Sequence, residues 1–148
     1  MKKALSLAVT LCKEFEGLFL EPYLCPAGVP TIGYGTVWKP DGTKVTLQDA
    51  PITATQAELW LINQLAGTYL PAALKHSPNL VLNENALGAI TDFVYNLGSA
   101  RYKSSTLRKR INDEDWEEAE IEIMRWVRGG GRILPGLVRR RQQERKLL

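Results

Sequence analysis

Histidine occurs once and cysteine twice in 148 residues, and these scarcities narrow the chemistry at the outset. His76 has no cluster of Cys or His around it, and Cys12 and Cys25 stand apart from it and from each other. A structural zinc site is therefore not expected, nor is any other metal or cofactor. Two cysteines are too few for the disulfide framework of a small secreted scaffold, so reduced thiols are the expectation. A papain-like hydrolase is disfavoured as well, because no histidine lies near Cys25 in sequence and His76 falls just before "SPN" in a predicted loop. Long apolar runs are missing too. Lys2 and Lys3 ahead of "ALSLAVTLC" imitate a signal peptide, but the run is too short to span a bilayer and continues into "KEFEG" rather than into small residues. It reads as the first helix of the fold, with no stable membrane association. Internal repeats, low-complexity tracts and long linkers are absent, which at this length predicts one domain with its own core. The glycines of "GYG" lack the helix that follows a phosphate loop and are better explained by a backbone that a ligand approaches closely or by a tight bend, and no nucleic-acid-binding motif is present.

Charge is distributed unevenly. The formal net charge is only +3, yet Asp113, Glu114, Asp115, Glu117, Glu118, Glu120 and Glu122 form an acidic block, while from Arg125 onward seven Arg and one Lys face a single Glu144. A basic end of this kind suits a polyanionic partner such as an anionic cell envelope, although solvated helix faces give the same pattern more often.

Periodicity predicts a mostly helical α+β protein. Leu5, Ala8, Val9, Cys12 and Phe15, extended as far as Phe19, recur at helical spacing, with Gly17 as the stop. "TIGYGTVW" alternates like a two-faced strand, and "KPDGTKV" is the turn that folds it back, giving a small antiparallel sheet over about 23–47. "TATQAELWLINQLAGTYL" opens with overlapping capping boxes and is interrupted at Pro71. "NENALGAITDFVYNLG" carries a wide apolar face and predicts the most buried helix, ended by Gly98. A short helix capped by Ser104 or Ser105, an acidic-faced helix over "NDEDWEEAEIEIMRWV" and a last one begun by Pro135 follow. "RWVRGGGRILPG" between the last two reads equally as a basic phosphate loop or an ordinary flexible connection.

Glu16 is the candidate acid. It falls in the last turn of the first helix, directly before Gly17, where the macrodipole disfavours negative charge and so favours the protonated form that a general acid needs. Phe15, Leu18 and Phe19 are expected to dry its surroundings. Cys25 follows in a loop, where the nearby carboxylate is expected to raise its pKa by like-charge repulsion. Thr31 offers a hydroxyl able to hold a water, though threonine in a strand is more often there for its β-preference.

Glu16, eight residues, Cys25, five residues and Thr31, set within "FEG", "PYLCPAG" and "TIGYG", resemble the signature of the phage T4-type lysozymes, glycoside hydrolase family 24. The similarity extends to "FVYNLGSARYKSSTLRKRIN" and "RWVRGGGRILPGLVRRRQQE", nearly the whole chain. The resemblance implies a two-lobed lysozyme-like fold in which a small antiparallel sheet lobe and a helical lobe are joined by a long helix. The sheet lobe is expected over about 13–55, and the helical lobe over 1–12 and about 56–148. It implies an endolysin that cleaves the β-1,4 bond between N-acetylmuramic acid and N-acetylglucosamine in bacterial peptidoglycan. By the same carry-over Glu16 protonates the leaving oxygen, Cys25 and Thr31 manage the water or the charge at the anomeric carbon, and Val37, Tyr95, Asn96 and Thr106 line the substrate site. Many members have Asp at the Cys25 position. The resemblance further implies a monomer that accumulates in the host cytoplasm and depends on a holin for release to the wall, without binding the holin directly. A lytic transglycosylase acting on the same bond, or a non-catalytic wall- or nucleic-acid-binding module, are the competing readings.

Overall fold

The computed structural model describes residues 1–148, which divide into two compact units: Cys12–Gln64, and Met1–Leu11 with Leu65–Leu148. The chain opens with helix α1 (Lys2–Glu16), whose stripe buries Ala4, Ala8, Leu11 and Cys12. Gly17 ends it with a φ of +73°, a conformation glycine reaches without a Cβ penalty.

In the Cys12–Gln64 unit the chain then runs into strand β1 (Phe19–Leu24), paired antiparallel with β2 (Pro30–Gly33). The register shifts between Phe19 and Tyr23, around Pro22, which cannot donate to a ladder. The sheet thus begins at Phe19, earlier than the alternation predicts, and Phe19 belongs to a strand rather than to the helical stripe. "TIGYGTVW" is not one strand. Ile32 and Thr36 bond each other's backbones at 3.0 and 2.8 Å, closing a tight turn in which Gly33 and Gly35 both have positive φ. Period-two alternation does not reveal such a turn, but the two glycines, one reading of which is a tight bend, do. The Pro40-Asp41-Gly42 turn does fold the chain back, with Trp38 bridging Lys44. Helix α2 (Ala54–Gln64) packs on β2, its Ala57 Cβ 3.4 Å from where a Cβ on Gly33 would stand. Thr53 and Gln56 form the predicted capping box, with Gln56 N–H to Thr53 Oγ1 at 3.1 Å and Thr53 N–H to Gln56 Oε1 at 2.9 Å.

Pro71 does not end the helical run. A π-helical turn (Leu65–Tyr69) follows α2 directly and leads into α3 (Leu70–His76), which holds Pro71 in its first turn. Proline's missing N–H and its ring are tolerated there, and the wide turn before it relieves the ladder of that bond. His76 accordingly ends a helix rather than sitting in a loop.

The second unit is built around α4 (Glu84–Leu97), where every residue from Ala86 to Val94 is buried. Asn83 caps it, and Gly98 follows at φ +95°. Gly88 lets α1 come close: a Cβ there would stand 2.8 Å from Leu7 Cβ and 3.0 Å from Ala4 O. A short 3₁₀ turn (Pro78–Leu82) precedes α4, and α5 (Ser99–Ser104), α6 (Thr106–Asn112) and α7 (Trp116–Ile123) surround it. Leu87, Ile90, Phe93, Tyr102, Leu107, Ile111 and Ile123 share one core. Ser105 is the cap of α6, accepting from Arg108 N–H at 3.1 Å.

The glycine-rich stretch has regular structure of its own. It is a hairpin of β3 (Arg128–Gly129) and β4 (Arg132–Ile133), turned by Gly130 and Gly131 with φ of +58° and +79°, the pair of left-handed residues that a two-residue hairpin turn requires. Helix α8 (Pro135–Arg145) then places Arg140 and Arg141 in the interior. This corrects the picture of a uniformly outward basic end. Arg140 forks onto the buried Asp92 at 2.9 and 2.7 Å, Arg141 contacts the buried Glu144 at 2.6 Å, and Arg125 and Arg145 pair with Glu122 and Glu120.

Candidate active site

Three of the residues singled out in sequence are positioned by one short piece of chain. α1 delivers Glu16 at its last position, and Gly17 reverses the chain into β1 so that the hairpin follows immediately. Glu16 is half-buried, whereas Leu18 and Phe19, expected to dry it, are 39% and 43% exposed. β1 and β2 are joined by Cys25-Pro26-Ala27-Gly28, a turn closed by Gly28 N–H to Cys25 O at 2.8 Å, with Pro26 presetting its second position and Gly28 at φ +77°. Cys25 N–H donates to Val29 O at 3.1 Å, and the buried Thr31 donates its hydroxyl to the same carbonyl at 2.8 Å.

That turn reverses the expectation for Cys25. Its thiol is held below the ordinary thiol range, chiefly by the backbone amide of Val29 and further by that of Ala27, against the opposing effect of burial. Like-charge repulsion from a carboxylate does not dominate, because hydrogen bonds made to the thiolate favour the charged form at closer range.

Tyr23 was overlooked in the sequence. It is the cross-strand partner of Thr31, its ring lies 4.1 Å from that of Phe19, and its hydroxyl is pushed up by burial and then by the charges of Glu16 and Cys25. Tyr23 thereby stays a neutral hydrogen-bonding group in the field of both. The alternation of Phe19, Glu21 and Tyr23 was the available signal, masked by Pro22. Val37 belongs to the same unit, half-buried, its carbonyl accepting from Val45 N–H at 2.8 Å.

Tyr95, Asn96 and Thr106 lie in the other unit. Tyr95 and Asn96 are in the last turn of α4, Tyr95 edge-on to Tyr69 at 4.9 Å and Asn96 bonded through Oδ1 to Arg141 Nη2 at 2.9 Å. Thr106 is the exposed first residue of α6. Chemically, the Glu16 hairpin combines a carboxyl group with a thiol biased toward ionisation and a hydroxyl close in the same turn. Such a set can run acid and base steps.

Residues 13–144 match the family model described as phage lysozyme. An endolysin of Acyrthosiphon pisum secondary endosymbiont phage 1 is 36% identical over 143 residues, covering 94% of this chain and 92% of that one. Among solved structures, the endolysin from Escherichia coli O157:H7 phage FAHEc1 superposes with a TM-score of 0.81 at 31% identity, over 95% of this chain and 89% of the other. A mutant of P22 lysozyme does so at 0.80 and 29%, over 96% and 94%.

Proposed function

Because the chain belongs to the phage lysozyme family, we propose that Glu16, Cys25 and Thr31 together carry out its reaction, hydrolysis of the β-1,4 bond between N-acetylmuramic acid and N-acetylglucosamine in bacterial peptidoglycan. The protein is a phage muramidase that serves host cell lysis. Glu16 protonates the glycosidic oxygen as the bond to the anomeric carbon breaks. Water adds to that carbon and gives its proton to the Cys25 thiolate, with Thr31 orienting the water. The observation that carries this assignment is the turn around Cys25, which holds the thiol toward its charged form by hydrogen bonds from the backbone of Val29 and Ala27. A base is of use only in that form.

Val37, Tyr95, Asn96 and Thr106 line the substrate site in this reading. The protein acts as a monomer, without cofactor. No helix is long and apolar enough to cross a membrane, and in this reading the enzyme waits in the host cytoplasm until a holin, which it does not bind, lets it reach the wall.

Mass spectrometry of fragments released from purified peptidoglycan tests the reaction. Wild-type protein should yield reducing-end muramic acid and Glu16→Gln should yield none. Anhydro-muramic ends would assign a lytic transglycosylase instead, and no fragments from the wild type would leave a wall-binding module.

A further inference from the structure

Asn96, in the last turn of α4, is a half-buried side chain whose amide has two unlike ends. Its Oδ1 lies 2.9 Å from Arg141 Nη2. A guanidinium has donors only, so the oxygen must face it and the amide cannot be turned round without setting N–H against N–H. Arg141 is itself fixed. It is fully buried, its Nη2 also donates to Glu144 Oε1 at 2.7 Å, its Nε lies 2.6 Å from Glu144 Oε2, and its plane lies 4.9 Å from the Phe93 ring. The two N–H bonds of Nη2 are thus divided between Glu144 and Asn96. By contrast, Asn96 Nδ2 makes no hydrogen bond within the fold and is not among the buried unpartnered atoms, so it is open to solvent.

We propose that Arg141 is a positioning residue that fixes Asn96 as a pure hydrogen-bond donor, and that the group Asn96 receives is an amide carbonyl oxygen of the substrate. This rests on the muramidase reading, in which Asn96 lines the substrate site. Peptidoglycan carries amide carbonyls in two places, on the N-acetyl groups of the sugars and along the stem peptides. A substrate hydroxyl can meet Asn96 only as an acceptor, because Oδ1 is already engaged, and an amide carbonyl is the stronger acceptor of the two.

Asn96→Asp separates this from a structural role. The carboxylate keeps, and strengthens, the bond to Arg141, but removes the donor. Kinetics of the full-length protein on intact peptidoglycan and on glycan strands stripped of stem peptides should show KM raised about tenfold or more, with kcat little changed and thermal stability kept. A rise on both substrates places the acceptor on the sugars, where the N-acetyl group is the one amide carbonyl, and a rise on the intact substrate alone places it on the stem peptide. Arg141→Lys, whose single ammonium cannot serve Asn96 and Glu144 with a fork, should raise KM in the same way. Wild-type KM for Asn96→Asp on both substrates, with Glu16→Gln inactive, overturns this proposal alone. Absence of cleavage by the wild type overturns the muramidase reading and this proposal with it.

Discussion

Cys25 occupies a place where many relatives of the resembled type carry a carboxylate, and its surroundings determine how closely a thiol can replace one. A free thiol is mostly neutral at physiological pH. Here the amides of Val29 and Ala27 lower its pKa, so the charged form gains population as pH rises through a range below that of a free cysteine. If the thiolate is the base, kcat/KM should climb along that limb. Cys25→Asp should move the limb to more acid pH, since a free carboxylate ionises about four to five units below a free thiol, while Cys25→Ala should lower kcat by about 100-fold or more without unfolding the protein. The pH profile of kcat/KM for the three proteins checks this. A Cys25→Ala enzyme with the wild-type rate would remove Cys25 from the mechanism, and a glycosylated Cys25 trapped in mass spectrometry would make the sulfur a nucleophile rather than a base.

Among elements, those that follow from a single periodicity were legible in the sequence, and those made by turn geometry were not. The stripe through Leu5 and Ala8, the wide apolar face of 86–94 and the caps at Thr53, Ser105 and Gly98 give the observed helices. The π turn ahead of Pro71 and the short α5 were hidden, because neither changes the spacing of apolar residues, and the break inside "TIGYG" showed only in its glycines. The site followed the same division. Glu16 was legible as a helix-ending acid before a glycine, but the lowered pKa of Cys25 depends on backbone amides that the turn aims at the sulfur, and no residue type announces that. The hairpin at Gly130 and Gly131 tests how far turn geometry governs this fold. Gly131→Ala must place a Cβ at φ +79° and should cost about 1–2 kcal/mol in urea unfolding, whereas Gly130→Asn should cost less, because asparagine tolerates the left-handed region. Equal and negligible losses would mean that the hairpin contributes nothing to stability.

At the scale of the whole molecule, the closing helix is tied to the central one by buried charge rather than by apolar contact alone. Asp92 from α4 and Arg140, Arg141 and Glu144 from α8 are all buried, with Asp92 and Arg140 joined by two short hydrogen bonds. Removing one partner leaves a charge without its counter-ion, so Arg140→Met should destabilise the protein by about 3–5 kcal/mol, more than a single exposed ion pair is worth. Glu144 behaves differently from the other three. Burial and then the Asp92 carboxylate hold its pKa well above the ordinary carboxyl range, against the pull of Arg141 and Arg140. The folded state therefore binds this proton more tightly than the unfolded chain does. Its contribution to stability is complete below the ordinary carboxyl range and is lost as pH rises from there toward the raised folded value. Glu144→Gln keeps an oxygen for Arg141 and an N–H₂ for Asp92 while having no proton to lose. Urea unfolding at about pH 4 and about pH 8 should accordingly show a smaller loss of stability toward alkaline pH in Glu144→Gln than in the wild type. Equal losses in the two proteins would show that Glu144 is ionised in the fold and that Arg141 outweighs burial and Asp92 together.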